Sequence, residues 1–165
     1  MKIFCLLVIF SLAQAQNAGN QKDEYHIPFP YKECQKSGCQ EKQGGVTLDS
    51  NWRWTHVTSG YENCFTGTEW NKQFCPDPQT CTKNCAIDGV PSNDWSNPYG
   101  THQVNGGVEM KLVTHGQYGD NVGVRVYLLE NENRYKMFHL NNREFTFDVD
   151  VSNLECGING ALYFV

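Results

Sequence analysis

Val122-Gly123-Val124-Arg125-Val126-Tyr127-Leu128 decides the fold class, because every second residue is a branched apolar one. Successive side chains of a strand point to opposite faces, so such a run gives one face to a core and the other to solvent or a ligand. Working outward, the same period returns. Val108, Met110 and Leu112 alternate with Glu109 and Lys111, and Phe145, Phe147, Val149 and Val151 alternate with Glu144, Thr146, Asp148 and Asp150. Ala161 to Val165 is an apolar run of strand length. Turn formers separate these runs: Asn105-Gly106-Gly107, Tyr118-Gly119-Asp120 and Asn141-Asn142. Spaced strands of this kind predict an all-β antiparallel sandwich or barrel.

The first half reads differently. Residues 1–15 form a signal peptide: Lys2 supplies the positive end, Ile3 to Leu12 the apolar run, and Ala13-Gln14-Ala15 the small-x-small cleavage site. That run is too short to span a bilayer and no second apolar segment follows it, so a membrane is not an expected partner. The mature, secreted chain is expected to begin near Gln16, and the length is enough for one ordinary domain. Residues 16–33 are polar and read as an extended lead-in. Residues 34–100 hold all four Trp and most of the cysteines. Short strands fit there, such as Gly45 to Asp49, and Cys81 to Ala86 has room for one helical turn.

Composition narrows the function. Charged residues make up 19% and hydrophobic ones 39%, which is globular, and the net charge is −5 with no block of Lys or Arg. Phosphate-tracking surfaces need clustered positive charge, so nucleic acid is excluded as a partner. His56, His102, His115 and His139 are scattered and assemble no triad or metal set. There is no Gly-rich phosphate loop and no Gly-x-Ser-x-Gly elbow, and no cofactor is expected.

Seven cysteines remain after Cys5 of the signal: Cys34, Cys39, Cys64, Cys75, Cys81, Cys85 and Cys156. Zinc sites prefer closer Cys pairs and recruit nearby His, and export favours disulfides, so bridges that staple a loop-rich region are expected and no metal. The odd count leaves Cys156 over. Asp148-x-Asp150 resembles a paired carboxylate, but its regular alternation favours a solvated strand face.

Asp49-Ser50-Asn51-Trp52-Arg53-Trp54-Thr55-His56 admits two readings. Two Trp one residue apart share a face of a strand, either as core or as indoles that cover the apolar faces of sugar rings. Arg53 then points to the opposite face.

Several stretches resemble glycoside hydrolase family 7 cellulases. They are Gly44 to His56, Cys75-Pro76-Asp77 with Thr80 to Gly89, Asn121 to Leu129, and Arg143 to Leu154 continuing through Cys156-Gly157 and Asn159 to Val165. The resemblance implies a concanavalin-like β-sandwich (jelly roll) whose curved sheets form a cellulose-binding groove, incomplete in this chain. It implies retaining cleavage of β-1,4-glucan by two glutamates in a Glu-x-Asp-x-x-Glu motif. No Glu here has an Asp two positions later, so the resemblance places catalysis past Val165 and gives this chain no catalytic residue. Glucan-binding roles carry over to Asn51, Arg53, Trp54, Phe65, Tyr99, Asn121, Arg125, Asn159 and Tyr163. The same resemblance implies bridges Cys34–Cys39, Cys64–Cys85 and Cys75–Cys81, with Cys156 pairing elsewhere. Ala86 stands where some relatives have another Cys. Asn-Trp-Arg-Trp-Thr-His and Asn-Val-Gly before Arg125 look more like cellobiohydrolases than endoglucanases. The implied partner is a cellulose or cello-oligosaccharide chain bound by a monomer. A non-catalytic glucan-binding protein is the alternative from another class.

Overall fold

The computed structural model describes residues 16–165, so the signal peptide expected over residues 1–15 lies outside the described residues. In chain order the strands are β1 (Asn17–Ala18), β2 (Ile27–Pro28), β3 (Tyr31–Gln35), β4 (Gly38–Lys42), β5 (Gly45–Leu48) and β6 (Thr55–Val57). Helix α1 (Pro78–Asn84) follows, then β7 (Cys85–Ile87), β8 (Thr101–Val104), β9 (Gly107–Met110), β10 (Val113–Gly116), β11 (Gly119–Val122), β12 (Val126–Asn131) and β13 (Arg134–Tyr135). The chain divides into two compact units. One takes residues up to Asp23 with Arg53–Gly89, and the other takes Glu24–Trp52 with Val90–Val165.

The first unit is a short sheet, ordered β1-β7-β6, whose small core is mostly sulfur. Val57, Cys64, Cys75 and Cys85 are buried, with Phe74 and Cys81 against them. Disulfides join Cys64 to Cys85 and Cys75 to Cys81. Helix α1 starts three residues after Cys75 because Asp77 caps it, accepting the Thr80 N–H at 2.8 Å, and Pro78 pre-sets the first turn. The helical turn read at Cys81 to Ala86 is thus displaced: α1 ends at Asn84, and Cys85 is already extended. The Asn17 side chain from β1 donates to the Thr82 carbonyl at 2.8 Å, satisfying one of the open carbonyls at the helix end.

In the second unit a four-stranded antiparallel sheet runs β13-β12-β5-β2. All four residues of β5 are buried, the mark of a central strand covered on both faces. Val126 pairs with Leu48 and Leu128 with Val46. The core is Ile27, Val46, Leu48, Val90 and Trp95, with Phe29, Val108, Val124, Val126 and Leu128 packed on it. The polar lead-in therefore does more than extend. It supplies β1 and β2, and the Tyr25 carbonyl accepts the Trp95 indole N–H at 2.8 Å. Three hairpins, β3–β4, β8–β9 and β10–β11, complete the unit. The disulfide Cys34–Cys39 clips the first. Asn105-Gly106 turns the second, and Gly106 at φ +76° takes a left-handed conformation that glycine adopts without strain. Lys136 bonds Glu33 at 2.9 Å and lies 4.9 Å over the Tyr31 ring, tying the first hairpin to the chain beyond β13.

Three expected strands differ. Val122 to Leu128 is not continuous: β11 ends at Val122, Gly123 takes φ +71°, and β12 starts at Val126. Val122 is 65% exposed, so only the later members of the alternation reach the core. Phe145 to Val151 and Ala161 to Val165 pair with no strand among the described residues. Their aromatic members instead meet edge-on: Phe145 lies 5.5 Å from Phe138 and 5.0 Å from Phe164. An alternating sequence becomes a strand only where a neighbour accepts its backbone hydrogen bonds.

Because sulfur forms so much of the first core, the Cys64–Cys85 bridge carries much of that unit's stability. Replacing both with Ala should cost about 2–5 kcal/mol in denaturant unfolding. A loss below about 1 kcal/mol would show that the packed side chains hold the unit without the bond.

Candidate functional site

In the second unit the site is built on Asp49, the residue that follows β5. Its side chain is only 6% exposed, yet carries a charge. Oδ2 accepts from both Nε and Nη2 of Arg125, each at 2.8 Å, and Oδ1 accepts the Asn51 N–H at 2.8 Å. The Tyr127 hydroxyl donates to the same carboxylate. Burial pushes the Asp49 carboxyl up, but the Arg125 hydrogen bonds, the Asn51 amide and Tyr127 together outweigh it and hold it below its ordinary value of 3.8. The bond to Asp49 likewise raises Arg125 above the usual guanidinium range, with Tyr163 adding to the effect.

Rings and amides gather around this pair. The Arg125 guanidinium lies 5.5 Å over Trp52 and 6.0 Å over Tyr127. The Trp52 indole N–H and the Asn121 amide both donate to the Gly123 carbonyl, at 2.8 and 3.1 Å. Gly123, which breaks the expected strand, aims that carbonyl at both side chains. The cluster presents a part-exposed guanidinium, an amide and the 56%-exposed Tyr163 ring, held in fixed orientation. Donors beside flat apolar rings suit a ligand with apolar faces and a hydroxyl rim.

The first unit carries a separate set. The Trp54 indole donates to Asn63 Oδ1 at 2.7 Å and stacks on His56 at 4.0 Å. His56 is wholly buried, with Nδ1 2.9 Å from the carbonyls of Val57 and Gly60 and Nε2 3.3 Å from Asp88. Arg53 donates to the Asp88 carbonyl at 3.4 Å. Phe65 packs 4.8 Å from Trp70, which is 53% exposed.

Asn51, Asn121, Arg125 and Tyr163 are thus brought together, all through Asp49 or its partners. Arg53, Trp54 and Phe65 belong to the other unit. Tyr99 packs against the core of Ile27, Val46 and Trp95, and Asn159 is exposed after Cys156. The shared face expected for Trp52 and Trp54 fails because Ser50–Trp52 is a 3-10 turn, which interrupts the period of two. Sequence reasoning missed Asp49, Tyr127, Asn63 and Tyr61. The buried acid directly after an apolar strand was the available signal for the first. The sulfurs of Cys64, Cys75 and Cys85 lie within 4.8 Å of one another, but each is already in a disulfide and offers no thiolate to a metal.

Against known proteins, the sequence pattern of glycosyl hydrolase family 7 matches residues 18–165. The chain belongs to that family. It is 42% identical over 165 residues to exoglucanase GH7B of Limnoria quadripunctata, an alignment that takes in 100% of this chain and 36% of that protein. The chain therefore spans about a third of that relative's length. The crystal structure of a family 7 cellobiohydrolase from Daphnia pulex shares 46% identity at TM-score 0.63, over 68% of this chain and 26% of that one. A cellobiohydrolase from Melanocarpus albomyces, solved with cellotetraose, shares 34% identity at TM-score 0.58, over 68% and 25%. The short paired strands, the bridges and the open sheets are those of part of a family 7 β-sandwich.

Asp49 also sets a pH dependence. Its folded pKa is depressed, so its stabilisation is complete above the ordinary 3.8 and disappears as pH falls through the lower folded value. Asp49→Asn should be less stable at neutral pH by about 1–3 kcal/mol, with the gap to wild type closing below pH 3.8. Melting curves across pH 2 to 7 test this on roughly the carboxylate scale, and parallel curves for the two proteins would rule it out.

Proposed function

We propose that this chain is the glucan-holding part of a secreted cellobiohydrolase that hydrolyses β-1,4-glucosidic bonds with retention. Residues 1–15 direct export and residues 16–165 form the N-terminal part of the catalytic domain, acting as a monomer. Asn51, Asn121, Arg125 and Tyr163 grip the chain in the second unit. Arg53, Trp54 and Phe65 are glucan-binding residues of the first unit, and Tyr99 and Asn159 of the second. The nucleophile and the acid/base lie outside these residues.

The Asp49–Arg125 pair carries this reading. It fixes a row of donors and rings suited to sugar, while its carboxylate is already neutralised by a bidentate cation and cannot serve as a proton donor. The family's Glu-x-Asp-x-x-Glu pattern has no counterpart in the sequence. The exo-acting assignment draws on the likeness to an exoglucanase and to a cellobiohydrolase.

Digestion of crystalline and soluble cellulose by the full-length gene product tests the proposal. Release of mainly cellobiose, first seen as the β anomer by NMR, is expected. Rapid loss of viscosity with little cellobiose would replace it with an endoglucanase. Hydrolysis of cellotetraose by residues 16–165 alone would overturn the assignment of catalysis elsewhere.

A further inference from the structure

The sulfur core of the first unit brings two separate bridges into contact. Cys75 Sγ and Cys85 Sγ belong to different disulfides, yet they stand 3.3 Å apart. That is about 1.3 Å more than a bonded sulfur pair. The sulfurs of Cys64, Cys75 and Cys85 all lie within 4.8 Å of one another.

The backbones behind these sulfurs are tied together without the bridges. Asn71 donates its N–H to the Cys64 carbonyl at 2.8 Å, and its own carbonyl accepts the Cys75 N–H at 2.7 Å. The Cys64 N–H donates to the Thr55 carbonyl at 2.9 Å. Cys85 pairs with Val57 in the β6–β7 ladder, and the Asn84 amide donates to the Phe74 carbonyl at 3.0 Å. Opening one bridge therefore leaves Cys75 and Cys85 side by side.

The two bridges differ in access. Cys64 and Cys85 are wholly buried, so a reagent in solvent does not touch their bond. Cys81 is half-buried on α1, and Cys75 lines an open cleft of about 510 Å³ with Glu69, Trp70, Lys72 and Pro76. Thiol exchange needs contact with a sulfur, so it starts at the outer bridge.

We propose that Cys75 relays thiol–disulfide exchange from the accessible Cys75–Cys81 bridge to the buried Cys64–Cys85 bridge. A dithiol reductant gives two electrons to Cys75–Cys81, leaves as its own cyclic disulfide, and frees both thiols. The Cys75 thiolate then attacks Cys85 Sγ. A Cys75–Cys85 bond forms, the Cys64–Cys85 bond breaks, and Cys64 leaves as a thiolate that takes up a proton. Fixed neighbours react at effective concentrations far above any added reagent, so exchange at Cys85 outruns direct attack from solvent. Cys64 loses its native partner, and the core of the unit is unlocked from its outer edge inward.

Disulfide mapping of the full-length gene product tests the relay. The native protein is treated with a limiting dithiol at mildly alkaline pH and its free thiols are alkylated. Cutting at Lys72, Asp77 and Lys83 then puts the four cysteines on separate peptides. The expected early product carries a Cys75–Cys85 bond, with Cys64 and Cys81 alkylated. Replacing Cys75→Ser together with Cys81→Ser removes the relay and keeps the buried bridge, so alkylation of Cys64 should slow about tenfold. An unchanged rate in that variant overturns the proposal. Should the variant fail to fold, the wild-type map decides alone. Alkylation of Cys75 and Cys81 with Cys64–Cys85 intact overturns the relay, and so does joint alkylation of Cys64 and Cys85 with no Cys75–Cys85 bond.

Discussion

Asp49 and Arg125 are joined twice. Backbone pairs with backbone, the Asp49 N–H donating to the Arg125 carbonyl at 3.0 Å, and carboxylate pairs with guanidinium at 2.8 Å. The two residues lie at matching ends of β5 and β12, immediately beyond the pair Leu48 and Val126. A buried carboxylate stripped of its cation costs several kcal/mol, so the sheet cannot slip by a residue without exposing that cost. Register and site are set by one contact. The β5–β12 pairing that encloses the core also swings Arg125 over Trp52 and within reach of Tyr163. The guanidinium therefore has little freedom left to lose when a ligand arrives, which favours binding.

The first unit reaches rigidity by another route. It has too little apolar surface for a large core, and covalent bonds take the place of packing. Two disulfides lie side by side, with Cys75 and Cys85 sulfurs 3.3 Å apart. Bridges restrict the unfolded chain, so a loop-rich segment stays ordered with few buried side chains. Against that frame the wholly buried His56 acts as an internal strut: its two ring nitrogens reach a turn on one side and Asp88 on the other. Gly19 is required where the N-terminal segment passes this strut. A Cβ there would collide with the Asp88 carboxylate and come within 2.9 Å of the imidazole.

Much of this could be read in the sequence, and the failures share a cause. Alternation located the core residues Val124, Val126 and Leu128, and Asn105-Gly106 located a hairpin, because both signals are local. The β-sandwich class followed from the same signals and from the resemblance. What stayed hidden was long-range. Nothing near Asp49 says that its partner stands 76 residues away, and nothing near Tyr61 says that its ring lies parallel to Trp54. The alternation through Val122 misled because Gly123 can adopt a positive φ, and the pattern counts it as just another outward residue. The Trp52–Trp54 spacing misled for a related reason: a short 3-10 turn resets the period without leaving a compositional mark.

Electrostatics separates holding a sugar from cutting one. A glycosidase acid must keep its proton near neutral pH, so its carboxyl has to be pushed up by burial or by a like charge. Glu33, Asp49, Asp77 and Asp150 are all displaced the other way. Lys136 lowers the first, and Arg125 with its neighbours outweighs burial at the second. The Thr80 amide and hydroxyl lower the third, and Ser152 lowers the fourth. Asp148 and Asp150 resemble a catalytic pair in sequence, yet both are exposed and Asp150 is held ionised by its own loop. These carboxylates stay charged, and charge serves here to cap a helix, close a loop and pin a guanidinium. Each of the four is held ionised by donors fixed in the fold, so near neutral pH it has no proton to give and acts by orienting what it bonds.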